Sequence, residues 1–440
     1  MDKIILRIAL TVIATLASTI ALAGCATALK DHSLTPDERQ LNIESFEYIW
    51  STIRDKHYDP EFGGLNWQAV HDQLRPKIEQ ASTMSEARIV MHDMISRLNL
   101  THFNIIPARI YENMDRPGVK GLEGGVTGID VRVINGHALI TRVEKDSPAA
   151  GAGVKTGWEI IRIGDDDIMS KLQSIAKEFE NTTYKDLILV SSVTSRLTGI
   201  IGDSVAIQFL NGADQTVHLD IQLTEKKGKR YKLGHLPSFY VWIEVDTIDE
   251  NIGYIALNGF FDPVYVMSAF NNAMRSFMGS DGLVIDIRGN LGGIIAMSMG
   301  MAGWLVPEKN QYLGAMYLRN NELRFVINPR STTYTGPVAI LVDGLSTSCS
   351  EIFAGGLKDL GRARLFGSRT GGAALPSTIE KLPNADGFQY AFASYRSKSG
   401  KVLEGSGVTP DEEIIPTREA LLQGRDLVLE AAVAWIRSQK

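Results

Sequence analysis

Two stretches of this chain run apolar from end to end, stop at a turn rich in glycine or serine, and continue as a helix. They constrain the fold more than any other feature. The first, Asp281–Arg288, stops at Gly289-Asn290-Leu291-Gly292-Gly293 before a helical run over Ile294–Leu305. The second, Pro337–Asp343, turns through Gly344–Ser348 into a helix over Ser350–Leu360. A strand without polar alternation is buried on both faces, which is the habit of parallel strands covered by helices. Two such units, with a further short strand at Gly253–Leu257, predict an α/β core holding a partly parallel sheet.

The 440 residues leave room for more than that core. From Pro36 to about Asn99 apolar residues recur at three and four: Leu41, Phe46, Ile49, Trp50 and Ile53, then Trp67, Val70, Leu74 and Ile78, then Ile89, Val90, Met94 and Leu98. This spacing predicts a helical N-terminal domain, broken at Pro60–Gly64. Residues 121–226 alternate instead, with an Asn135-Gly136 turn, and read as short strands and hairpins interrupted by a helical insertion over about 167–200. The expected class is therefore multidomain α/β (α+β): a helical domain over 36–118, a β domain over 119–228 and an α/β core over 229–440.

The first 24 residues are a separate matter. Lys3 and Arg7 precede an apolar run that ends in Leu22-Ala23-Gly24-Cys25, the layout of an export signal. The ending resembles a bacterial lipobox. That resemblance implies lipidation of Cys25, a tether over 25–35, and attachment to the cell envelope by acyl chains, with the outer membrane facing the periplasm as the expected site. Cys349 would then be the sole free thiol. A formal charge of −6 gives no net attraction to phosphate backbones, so nucleic acid is not expected as a partner. Two cysteines do not make a Cys-rich zinc site, and neither metal nor cofactor is expected.

Within the β domain, Ser147-Pro148-Ala149-Ala150 leading to Gly153, then Gly157-Trp158-Glu159-Ile160-Ile161, resembles a PDZ domain of bacterial proteases. The resemblance implies capture of peptide C-termini by strand addition, with Gly124, Gly125 and Val126 as the nest for the carboxylate.

The chemistry is expected at the two βα turns. A serine in 346–350 stands between a buried strand and a helix N-terminus, with free N–H groups behind it. Ser350 with Glu351 also fits a plain helix cap. The N–H of Gly292 or Gly293, with that of Cys349, could make an oxyanion hole. No Gly-Lys-Ser/Thr follows the glycines, so phosphate binding of the Walker type is not expected.

Together Asp286–Gly293, the Ser-x-Ser-x-Ser-Glu-Ile run at 346–352, Gly361-Arg362-Ala363 with Gly367, and Glu404–Asp411 resemble the carboxyl-terminal processing (tail-specific) family of serine peptidases. The resemblance implies that Ser348 is the nucleophile. The best-known branch places a lysine 25 residues later, but here that position is Ala373, so a Ser-Lys mechanism is unsupported. A second branch, similar to the tricorn protease core, uses histidine. Leu98-Asn99-Leu100-Thr101-His102-Phe103 matches its place, which implies His102 as base, Glu404 as the carboxylate that orients it, and Thr101 as a lesser contact to either. Cys349 is read as a small hydrophobe rather than a nucleophile. The expected activity is an envelope endopeptidase acting through an acyl-enzyme on protein or peptide substrates. Two other readings share these features: a catalytically silent binding lipoprotein, and a hydrolase of non-peptide acyl substrates.

Overall fold

A computed structural model of the chain describes residues 32–108 and 123–439. The export signal, Cys25, most of the tether and the expected boundary at 118/119 lie outside the described residues. Among these residues no helix is long and apolar enough to cross a membrane.

Helix α1 (Pro36–Lys56) starts where the sequence supplies a complete cap: Thr35 and Glu38 exchange side-chain and backbone bonds, and Pro36 fills the first turn. It packs with α2 (Trp67–Gln80) and α3 (Met84–Ser96) through Phe46, Ile49, Ile53, Leu74, Met91 and Met94, all essentially inaccessible. Two residues expected on the buried faces, Leu41 and Ile89, are exposed. In α3 the inward stripe is Ala87, Met91, Met94 and Ile95, and Ile89 falls on the opposite side of the turn. The helices also share their core with Leu382, Phe388 and Tyr390 from the hairpin Ser377–Lys381/Gly387–Ala391. The strand Asn104–Ile106, which follows α3, pairs antiparallel with that hairpin, Asn104 opposite Gln389. The helical region is thus joined to the core by a shared small sheet.

The alternating region forms an antiparallel sheet in the order Ile129–Ile134, His137–Val143, Glu159–Ile163, Ser204–Leu210, Thr216–Gln222. Asn135 and Gly136 both take positive φ (52° and 82°), as a two-residue hairpin turn requires. Helices α4 (Ile168–Glu178) and α5 (Lys185–Thr194) form the insertion, with α5 lying against Ile129–Ile134.

The core carries a six-stranded sheet: β1 (Ile243–Ile248), β2 (Ile252–Leu257), β3 (Gly282–Asp286), β4 (Val338–Val342), β5 (Arg364–Gly367) and β6 (Glu412–Glu413), in that order. Only the β1–β2 pair is antiparallel. Every residue of β3 and β4 is buried, as their unbroken apolar runs predict. Alternate side chains serve two cores. Leu283 and Ile285 face α6 (Tyr265–Ser276), α7 (Ile295–Ala302) and α8 (Cys349–Asp359); Val284 and Leu341 face α10 (Leu427–Arg437). Just before α10, the short α9 (Arg418–Leu422) reaches back to the 129–222 sheet. There Arg418 bonds the carbonyls of Gly157 (3.2 Å) and Asn211 (2.6 Å), and Thr156 donates to Leu421 O (2.7 Å).

Candidate active site

Because β3 and β4 are parallel neighbours, the turns that follow them emerge side by side at the carboxyl end of the sheet. Hydroxyls lock the two turns together. Ser350 Oγ donates to Asn290 O (2.8 Å) and Oδ1 (2.9 Å), Thr347 Oγ1 to Leu291 O (3.1 Å), and Ser346 Oγ to Ile287 O (2.8 Å). Ser350 is therefore spent on this lock, and the capping position of α8 is Ser348. Of the four hydroxyls in the turn, that of Ser348 alone is buried without a hydrogen-bond partner. Its backbone sits at φ 58°, ψ −117°, a region that costs a non-glycine residue about 1–3 kcal/mol and that other contacts must hold.

One of those contacts is Glu351. This buried carboxylate accepts from Ser348 N (2.9 Å), Thr370 Oγ1 (2.6 Å), Gly372 N (2.8 Å) and Ala373 N (3.0 Å). Burial pushes its carboxyl up to about 7. On the other flank, a Cβ added to Gly292 (φ 101°) would lie 2.8 Å from Ser348 Cβ and 2.9 Å from Cys349 N, so only glycine permits this approach. The Gly292 N–H is already donated to Asn290 Oδ1 (2.9 Å). Cys349 is the first residue of α8, where an N–H has no intrahelical acceptor. Its thiol is buried and pushed by desolvation to about 12, which keeps it protonated and inert.

The second constellation joins three segments. Thr101 Oγ1 donates to Glu404 Oε2 (3.0 Å) and lies 2.7 Å from His102 Nδ1. Since that hydroxyl's proton points to the carboxylate, the ring donates from Nδ1, and Nε2 carries the lone pair. His102 Nε2 is buried and unpartnered, like Ser348 Oγ. Burial pushes the imidazole down to about 3, so it is neutral at pH 7. Glu404 also accepts from Thr101 N (2.8 Å) and Ala374 N (3.1 Å), and burial pushes it up to about 6. The structure thus brings Thr101, His102 and Glu404 together with the hydroxyl between ring and carboxylate, rather than the direct contact expected. His102 itself takes φ 63°, a second non-glycine residue held in the left-handed region.

Ala373 is fully buried among Leu187 and Val190 of α5 and Leu345 of the turn that precedes α8. Lys358 is committed to Asp411 (2.9 Å) and Thr409 O (2.8 Å). The 129–222 sheet meets the same region through Arg132, whose Nε donates to Asp343 Oδ2 (2.7 Å). The expected carboxylate nest is a paired strand. Val126 N donates to Thr224 O (2.8 Å), and Gly125 lies opposite Gly199 on Thr198–Ile200. Gly124 (φ 118°) has open space around it. Among the described residues no group of three His, Cys, Asp or Glu gathers as metal ligands do.

A serine on a strained strand-to-helix turn, beside a glycine that lets the neighbouring turn close on it, in an α/β sheet, defines a hydrolase of the serine type. Residues 251–414 match the model of Peptidase family S41, and residues 42–96 match that of the Tricorn protease C1 domain. The chain is a serine-type peptidase. It is 25% identical over 82% of its length to the chloroplastic carboxyl-terminal-processing peptidase 3 of Arabidopsis thaliana, covering 67% of that protein. It is 22% identical over 86% of its length to a carboxyl-terminal-processing protease of Synechocystis, covering 81% of it. Among solved structures it resembles the photosystem II D1 C-terminal processing protease (TM-score 0.58, 19% identity, 89% of this chain and 97% of that one). Mature CPAF is similar as well (TM-score 0.61, 13% identity, 91% and 96%). At these identities the structural likeness speaks for the fold.

Proposed function

We propose that the chain is an envelope endopeptidase of the carboxyl-terminal processing type, with Ser348 as nucleophile and His102 as base, the latter oriented by Glu404 through Thr101. The observation that carries this is a pair of buried, unpartnered atoms with complementary chemistry, Ser348 Oγ and His102 Nε2, each set in a turn whose other polar groups are bonded. The Nδ1–Thr101–Glu404 chain supports the role of base, because it fixes the tautomer that leaves Nε2 able to take a proton. In the proposed cycle His102 takes the Ser348 proton as Oγ attacks the substrate carbonyl. The oxyanion rests on the amides of Cys349 and Gly293, since that of Gly292 is engaged. Imidazolium then protonates the leaving amine, and water releases the acid. The apolar setting of Ala373 supports a base other than lysine.

The 129–222 sheet with α5 is, in this reading, a PDZ-like module that recruits peptide C-termini to the adjoining site; Gly124 is the part of the predicted nest with room for a ligand. The Leu-Ala-Gly-Cys25 ending supports attachment to the envelope through lipid on Cys25.

Labelling with a fluorophosphonate tests the assignment. The wild-type chain should be phosphonylated at Ser348 Oγ with loss of fluoride and Ser348→Ala should not, with the same thermal melt. Equal labelling of the variant would remove Ser348 from the mechanism.

A further inference from the structure

We propose that Glu351 is a positioning residue of this peptidase: its carboxylate registers the nucleophile turn against the strip 370–374, and through that strip against the Glu404 relay. This rests on the site proposed above and deepens it.

The geometry is that of a hub. From one side Glu351 holds the N–H of Ser348, the residue at φ 58°, whose carbonyl accepts from Ile352 N (3.0 Å). From the other it holds the Thr370 hydroxyl and the N–H groups of Gly372 and Ala373. The next amide along, Ala374 N, goes to Glu404 Oε2. Consecutive amides of one strip are thus divided between two carboxylates, one behind the nucleophile and one behind the base. A capping glutamate needs one backbone N–H; this one has three, from two segments, plus a hydroxyl. All four partners are donors, so the arrangement satisfies a carboxylate, and a proton on either oxygen must displace one of them.

The titratable group that acts on Glu351 from a neighbouring element is the buried phenol of Tyr395 on the strand Ser394–Ser397, with the Thr370 hydroxyl bonded to the carboxylate from the strip. Neither is a cation. Burial raises the carboxyl to about 7, with the four bonds acting against it. Glu351 is therefore a charge retained in an apolar place for what it holds, and it becomes protonated as the medium turns mildly acidic.

The test uses the mature chain with Glu351→Gln and Thr370→Val, each followed by peptide turnover, fluorophosphonate labelling, a pH profile and a thermal melt. Glutamine is isosteric but sets an NH2 against donors. A folded Glu351→Gln should lose about 100-fold in kcat with KM within about threefold, and should label more slowly by a similar factor. It should also lack the wild-type acid limb near pH 7. Thr370→Val keeps the carboxylate and should lose about tenfold. A residue that merely stabilised the fold would lower the melt and leave kcat per labelled site and the pH profile alone; that result overturns the proposal. Should Glu351→Gln show no cooperative melt, Thr370→Val decides, and wild-type kcat in it is the overturning outcome. Absence of wild-type labelling at Ser348 sinks the parent assignment instead, whereas equal labelling of wild type and Glu351→Gln sinks only the role of Glu351.

Discussion

Thr101→Val is the most discriminating single change. Valine matches threonine in shape, so it deletes the hydroxyl between His102 Nδ1 (2.7 Å) and Glu404 Oε2 (3.0 Å) and little else. Glu404 keeps its bonds from Thr101 N and Ala374 N, so the carboxylate stays in place. What disappears is the link that strengthens when His102 becomes imidazolium in the transition state. A hydrogen bond to a charged group is worth about 1.5–3 kcal/mol, and about 2–3 kcal/mol of lost transition-state stabilisation corresponds to roughly 30- to 160-fold in kcat. KM should change little, because the hydroxyl is committed within the protein. Thr101→Ser, which restores the oxygen, should come within about threefold of wild type by the same reasoning. Steady-state turnover of a quenched-fluorescence peptide, with labelling rates in parallel, measures both variants. A valine variant as fast as wild type would show that the relay does not act through Thr101. A serine variant as slow as the valine one would show that the methyl, and so packing, was what mattered.

Gly292→Ala should lower kcat by at least about 100-fold and destabilise the chain by about 1–3 kcal/mol, because the new methyl meets Ser348 Cβ at 2.8 Å and φ is 101°. Gly136→Ala, at φ 82° in open space, should cost only conformational strain, with turnover unchanged; a urea melt and kcat for each check this. Acid should separate activity from stability. Glu404 is raised from 4.5 to about 6 by burial, so between those values the folded chain binds the proton that the unfolded chain does not, and this group adds stability as pH falls. The relay meanwhile loses its charge, and below pH 6 kcat should fall more steeply than the decline that Glu351 sets from about pH 7. Measuring kcat and melting midpoint together from pH 8 to 5 checks this, and a rate that falls only where the melt falls would refute it.

The sequence made the parallel core legible because DGLVIDIR and PVAILVD carry no polar alternation, and a buried parallel strand has no other way to look. Ser348 and Glu404 are assigned their proposed roles from motif resemblance, and His102 from its place after α3 within that resemblance. Less legible was whatever depends on distant segments. The bonds of Thr101 to Glu404 span 303 residues, so a hydroxyl lying between ring and carboxylate leaves no local trace. Glu351 looked like an ordinary cap because its first partner is three residues away, while the others are 19 to 22 residues on. Val126 seemed free for a ligand because Thr224, which binds its N–H, comes only after the whole insertion. Leu41 and Ile89 show the opposite limit: helical spacing is satisfied by several faces, and packing chooses one.

The pairing of Asn104 with Gln389 has a consequence for the chain in time. A growing chain emerges from its N-terminus, so Thr101 and His102 are made long before the strand beside them, Ser348 or Glu404. Contacts this distant are the slow ones to close. A half-made chain therefore holds His102 and Thr101 without the Glu404 carboxylate that Thr101 bonds and without Ser348. With the proposed site, proteolytic competence waits until Glu404 has been made, and until then neither the nascent chain nor its neighbours are exposed to it.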